Sequence, residues 1–213
     1  MRGLRFARAS TRAALLAACL VLAAPIAPRA QDAVPAEEIA YEASAEAVVV
    51  RFRERYGELR GASGAEGADG AESSFVVYGD GRAVVTHPPA HRQAGRRERT
   101  MDPVEIRGLL AELLELGLGD VDPVDARRER HAARTGRERL SATSDRSTIV
   151  IEFDFERRPA ERAAEPVTGA LRWVGLRADA RAHPGLASIQ RLDRVRRRLA
   201  RAMDEVAREG RVR

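Results

Sequence analysis

No lysine occurs in the 213 residues, so all 37 basic side chains are arginine. That removes a phosphate-loop lysine, a kinase strand lysine and any Schiff-base chemistry. Cysteine is nearly as scarce, with Cys19 the only one. Beyond residue 30 there is thus no thiol, which excludes a disulfide, a thiol nucleophile and a thiolate metal site. Asparagine is missing too, a pattern common under GC-rich codon bias, so the arginine count carries less functional weight. Long apolar runs are confined to one place, Ala13–Ala27. That run is shorter than the ~20 apolar residues of a membrane span.

What is present at the N-terminus reads as an export signal of a bacterial protein. Arg2, Arg5, Arg8 and Arg12 form a basic head with no acid, and "AALLAACLVLAAPIA" follows with the length of a signal core. Residues 1–30 are assigned as signal peptide, with cleavage after Ala30, placing the protein in the periplasm or outside the cell. An alternative stays open. "LAAC", Leu16–Cys19, resembles a lipobox, which implies acylation of Cys19 and a membrane-anchored lipoprotein. A membrane contact is expected only if the signal stays uncleaved or Cys19 is lipidated.

Shedding the signal changes the charge. Residues 1–30 hold five arginines and no acid, so 37 − 5 = 32 basic residues face 32 acidic ones. A balanced chain offers no concentrated positive field for phosphates, and no nucleic-acid partner is expected.

The remaining 213 − 30 = 183 residues suffice for one domain with its own core. Residues 31–44 read as a flexible tether, 45–208 as a single α+β domain, and 209–213 as a tail. Low-complexity or mobile loops are expected at 57–73, 88–100 and 119–146. The first strand falls near Ala47–Arg53, where Val50 and Phe52 share a face. In "FVVYGDGRAVV" an Asp-Gly pair between apolar runs predicts a two-residue hairpin turn. That register pairs Tyr78 with Ala83, Val77 with Val84, and Val76 with Val85.

"MDPVEIRGLLAELLELGLG" carries the clearest helix. Asp102 serves as N-cap, Pro103 as first residue, Glu105 completes a capping box, and Gly117 is the stop. Gly108 costs about 1 kcal/mol relative to alanine, too little to end the helix. "STIVIEFDFE" alternates as a half-buried strand, with Ile149, Ile151, Phe153 and Phe155 on one side. "GALRWVGLRAD" is its expected partner strand. After "HPGL", Leu186, Ile189, Leu192, Val195, Leu199, Met203 and Val206 recur at helical steps. The expected fold is an antiparallel sheet of about five strands, β-ββ-α-ββ-α, with two amphipathic helices on one face.

This order, carried by "VVYGDGRAVV", the leucine-rich helix, "TSDRSTIVIEF" and the helix after "HPGL", resembles a small bacterial exported domain family. Its general plan is similar to emfourin, an inhibitor of thermolysin-like metalloproteases. The resemblance spans residues 46–206 and rests on element order, Tyr78 to Arg82 and Asp145. It implies a protease-regulating role and assigns no inhibitory residue here.

Candidate sites are few. Asp80 supplies one carboxylate where a calcium loop needs several, and "GDGRAV" lacks a third glycine, so the stretch reads as a bend. His87 and His91 have the spacing of helical zinc ligands, yet Pro88 and Pro89 forbid a regular helix between them. They read as exposed loop histidines. His131 and His183 lie in polar segments. None of the eight serines beyond residue 30 sits in a nucleophile elbow. No catalytic residue, cofactor or metal is assigned, and Trp173 is placed in the core. Arg191, Arg194, Arg198 and Arg201 align beside the apolar stripe of the last helix as a candidate partner-binding ridge. Asp193 with Arg197, and Arg201 with Glu205, stand at i,i+4 pairing distance. The expectation is a non-enzymatic envelope domain that binds another envelope or secreted protein. A small hydrolase with a spatial Ser/His/acid or His-metal site, and a tethered structural lipoprotein, remain alternatives.

Overall fold

The computed structural model describes residues 35–56, 71–133, 147–159 and 162–212. Among these, a short 3-10 turn precedes eight strands and four α-helices. The strands are β1 (Ile39–Ala40), β2 (Val48–Arg55), β3 (Glu72–Tyr78), β4 (Arg82–His87), β5 (Gly95–Thr100), β6 (Thr148–Arg157), β7 (Glu165–Val174) and β8 (Arg211–Val212). The helices are α1 (Pro103–Glu115), α2 (Pro123–Ala133), α3 (Leu176–Ala182) and α4 (Ala187–Glu209).

Every strand pair is antiparallel, so the class is α+β. β7 runs along the whole of β6, so the short β1 shares the other side of β6 with β2. The sheet then continues β2-β3-β4-β5-β8. Alternation decides which face is covered. Phe52, Phe75, Val77, Val85, Ile149, Ile151 and Phe155 are buried at every second position, and the helices pack over them. α4 supplies Ile189, Leu192, Val195, Leu199, Met203 and Val206 and lies across β3, β4 and β5. Facing away from the helices, Arg51 and Arg53 both pair with Glu152 at 2.9 and 2.7 Å.

The sheet is larger than five strands because polar sequence also joins it. β5, "GRRERT", falls in the segment expected to be a basic loop, and it carries no apolar residue. Its place comes from tertiary pairing: Val85 opposes Arg97, and Arg97 donates to the Ala207 carbonyl at 2.7 Å. That bond satisfies an otherwise orphaned carbonyl near the end of α4. The expected tail at 209–213 contributes β8, which pairs with β5. Within the expected tether, Ile39 is buried and β1 pairs with Glu156 and Arg157. The segment 119–146 is not one long excursion either, since it holds α2. Asp122 Oδ1 accepts from Val124 N at 2.6 Å, Pro123 opens the helix and Ala126 is buried. Of the loop expected at 57–73, Glu72 and Ser73 already belong to β3, whereas 57–70 and 134–146 lie outside the described residues.

The helix carried by Asp102–Gly117 forms as read. Asp102 Oδ1 accepts from Val104 N and Glu105 N at 2.8 Å each, and Glu105 Oε2 accepts from Asp102 N at 2.9 Å. Gly117, at φ +92°, closes it with Leu118 N donating to Leu113 O and Gly117 N to Leu114 O. "GALRWVGLRAD" divides differently from expectation. β7 ends at Val174, and Gly175 at φ +74° turns the chain into α3.

β7 is a sheet edge, and both of its ends are blunted. Gly175 N donates to Ser147 O, so the odd residues of β7 face β6 and the even ones face outward. Pro166 then presents no N–H, and Arg127 covers the Arg172 carbonyl at 3.4 Å.

Candidate functional site

The Asp80 stretch is a bend, with a different register from the one expected. Val77 opposes Ala83, Val76 opposes Val84 and Phe75 opposes Val85. The loop is therefore three residues, Gly79–Asp80–Gly81, with Gly81 N bonded to Tyr78 O at 3.0 Å and Gly81 at φ +92°. Both glycines are required by packing. A Cβ on Gly79 would sit 1.8 Å from Glu42 O, and one on Gly81 2.5 Å from Met101 O. The Asp80 carboxylate is occupied in the turn, accepting from Arg82 N at 2.9 Å.

His87 departs most from its reading. It ends β4 on the helix-covered face and is 3% exposed, because the strand runs through Thr86 to His87 before the prolines stop it. Its Nδ1 lies 2.9 Å from Ser73 Oγ on β3, and its ring stacks on His91 with centroids 3.9 Å apart. Its Nε2 has no hydrogen-bond partner among the described residues. Burial holds its pKa below the ordinary histidine value, helped by His91 and Arg97 and opposed by Asp204. Ser73 is 1% exposed, so this serine–histidine contact has no open side toward solvent.

Above this pair lies a cleft of about 460 Å³, within the range of small-ligand sites. One wall is the β4–β5 loop with His91, Arg92 and Gln93; the other is the C-terminal half of α4 with Arg201, Asp204, Glu205 and Arg208. The loop is shaped by Pro88 and by His91 N donating to Pro88 O. His91 Nδ1 accepts from Gln93 N at 3.1 Å. A backbone N–H can only donate, so the proton of neutral His91 sits on Nε2. The charged side chains of the cleft are largely unsatisfied: Arg92, Arg201 and Glu205 have no partner among the described residues. Arg208 donates only to the Asp204 carbonyl at 3.3 Å.

The arginine ridge is divided. Arg198 is committed to Glu112 of α1. The methylenes of Arg191 lie against Gly117, 3.0 Å from where a Cβ would stand. Arg194 is exposed and has no partner among the described residues, and Arg201 enters the cleft. The expected Asp193–Arg197 pair forms at 3.0 Å, and Asp193 also holds Arg196 at 2.9 Å. The expected Arg201–Glu205 pair does not form.

His131 is exposed on α2, and His183 ends α3, where its carbonyl accepts from Gln190; neither lines the cleft. Trp173 is in the core as read, with its Nε1 donating to Asp179 at 2.7 Å. One buried acid escaped the sequence reading. Glu54 is 1% exposed on β2 and is held by Arg177 of α3 at 2.9 Å, with the Tyr56 hydroxyl at 3.3 Å. Burial, then the nearby carboxylate, pushes the Tyr56 phenol up. The signal for Glu54 was its even position beside Val50 and Phe52 in a half-buried strand.

Among the described residues no group of three or more His, Cys, Asp or Glu could hold a metal ion, and no helix is long and apolar enough to cross a membrane. No protein-family model, curated protein or solved structure matches this chain.

Proposed function

We propose that this chain is an exported, non-catalytic binding domain of a bacterial cell envelope, which docks an acidic protein on the exposed arginines of α4. The observation that carries this reading is the state of Arg194 and Arg201: both are exposed and neither has a partner among the described residues. Two guanidinium groups left uncommitted on one exposed helix face offer a partner's carboxylates bidentate contacts. The basic, then apolar, first thirty residues support export.

Polyglutamate serves as the test partner. The expected result is saturable, salt-sensitive binding by residues 31–213, lost on Arg194→Glu together with Arg201→Glu. Absence of binding at low salt overturns the docking surface. A thermolysin-type protease tests the emfourin-like version, and unchanged turnover at large molar excess of the domain removes it.

A hydrolase reading has one specific observation, the Ser73–His87 contact at 2.9 Å. It needs Ser73 to become accessible. Esterase or peptidase turnover abolished by Ser73→Ala and His87→Ala would replace the non-catalytic reading.

A further inference from the structure

The cleft between the β4–β5 loop and α4 is a built pocket with charge of both signs. Across it, Arg92 approaches from the loop and Arg201 and Arg208 from the helix. His91 adds a donor, because the Gln93 N–H bonded to its Nδ1 leaves the ring proton on Nε2. The acceptors, Asp204 and Glu205, stand on the helix wall. Elsewhere on α4 such opposite charges bind one another: Asp193 holds two arginines and Arg198 holds Glu112. In the cleft they do not, although Arg201 and Glu205 are four residues apart on one helix. Beneath the loop, His87 is buried with an unsatisfied Nε2 and stacks on the ring of His91, which fixes that wall.

We propose that this cleft binds a small oxyanion-bearing ligand, its carboxylate or phosphate gripped by Arg92, Arg201 and Arg208 and donated to by His91. The two helix carboxylates take a hydroxyl or ammonium beside the oxyanion, so the ligand carries a donor next to its negative group. A guanidinium fork matches both carboxylate and phosphate geometry, and each charge-assisted bond is stronger than a neutral one. This deepens the binding reading above and rests on it for the role of α4 as the binding element.

Two probes separate the sources of the oxyanion: inorganic phosphate, and free glutamate with its carboxylate beside an ammonium. Each is titrated into residues 31–213 while the imidazole resonances of His91 and His87 are followed by NMR. Saturable movement of His91 with either probe is expected, and the responding probe identifies the group. Arg201→Ala and Arg92→Ala each weaken it by about tenfold or more. Arg201→Lys recovers part of the affinity, and Arg172→Ala, at an exposed position of β7, leaves it unchanged. No saturable shift with either probe, or binding indifferent to Arg92 and Arg201, overturns the proposal. The two readings fail separately. Polyglutamate binding that survives Arg92→Ala but is lost in Arg194→Glu, with neither small probe bound, keeps the docking surface and removes the cleft. Phosphate or glutamate bound at His91 without polyglutamate binding keeps the cleft and removes the docking surface.

Discussion

The two halves of α4 are built from the same residue types and differ in how much of their charge is paired. Toward its N-terminus, Asp193 is held by Arg196 and Arg197, Arg198 reaches Glu112 on α1, and Arg191 lies flat against Gly117. Toward its C-terminus, Arg201 and Glu205 have no partner among the described residues, and Arg208 has only a backbone carbonyl there. The difference follows from what lies opposite. The first half runs beside α1 and α3, whose side chains and backbone close over it. The second half faces the turn-rich Pro88–Ala94 loop, which bends back on itself through His91 N–Pro88 O and Ala94 N–His91 O and leaves a gap. Paired charge thus dominates the first half, Arg194 apart, and open charge the second, where Glu209 alone has an ion-pair partner among the described residues, Arg99 at 2.9 Å.

The largest expected effect is on the paired half. Asp193 and Arg196 are each 8% exposed. Asp193→Ala strands the Arg196 guanidinium in a buried setting, and a loss of about 3 kcal/mol is expected by urea denaturation. A loss below about 1 kcal/mol would show that Arg196 reaches water and that the pair is not what orders this half.

The unpaired half has a weakness of its own, beneath the loop. His87 is held neutral by burial, with His91 and Arg97 opposing its protonation and Asp204 favouring it. Its folded pKa lies below its unfolded one, so the unfolded chain takes up a proton first as the pH falls. The contribution is complete above about pH 6.5 and is lost as the pH drops toward the lowered folded value. Denaturation midpoints should decline from pH 7 to pH 5, with a slope from this group of at most about 1.4 kcal/mol per pH unit. His87→Phe should reduce that slope, and an unchanged slope would assign the acid sensitivity to other groups.

A smaller effect tests how α2 is held near the sheet. Asp122 caps it through Val124 N and Asp125 N. Asp122→Ala should cost about 1 kcal/mol of stability, against no change in phosphate or glutamate binding at the cleft.

That cap also shows how far the sequence could be read. "DPVE" at 102–105 and "DPVD" at 122–125 are the same helix-opening signature twenty residues apart. The first was followed by leucines at helical spacing and was recognisable; the second was followed by arginines and was not. α2 buries only Ala126 and is held by polar contacts, with Arg130 and Trp173 meeting on Asp179. Hydrophobic periodicity is blind to such an element. The same holds for β5 and β8, which carry almost no apolar pattern and become strands by pairing with β4 and with each other. The α+β class, the alternation of β6 and the stripe of α4 were legible because each is written in local apolar spacing, and the capping box because its Asp and Glu stand three residues apart ahead of such a stripe. The cleft was not. Arg201 could be singled out on the helix, but nothing in "HPPAHRQAG" says that His91, Arg92 and Gln93 return to meet it. Even the bend at Gly79–Gly81 was placed one residue off, since Asp-Gly satisfies a two-residue turn as well as the last two positions of a three-residue loop.

The smallest change in stability is expected where ligand binding should suffer most. Arg201 is exposed and has no partner among the described residues, so Arg201→Ala removes no contact there beyond the wall of the cleft. Its effect on folding should stay within about 0.5 kcal/mol, as for ordinary surface positions. Asp193→Ala and Arg201→Ala should therefore separate: the first lowers the urea midpoint and leaves His91 responsive to phosphate or glutamate in the folded fraction, whereas the second keeps the midpoint and silences His91. If Arg201→Ala instead destabilised the domain by as much as Asp193→Ala, the guanidinium would be bracing the β4–β5 loop. The two halves of α4 would then differ only in which partners they use, and the open charges would belong to the fold.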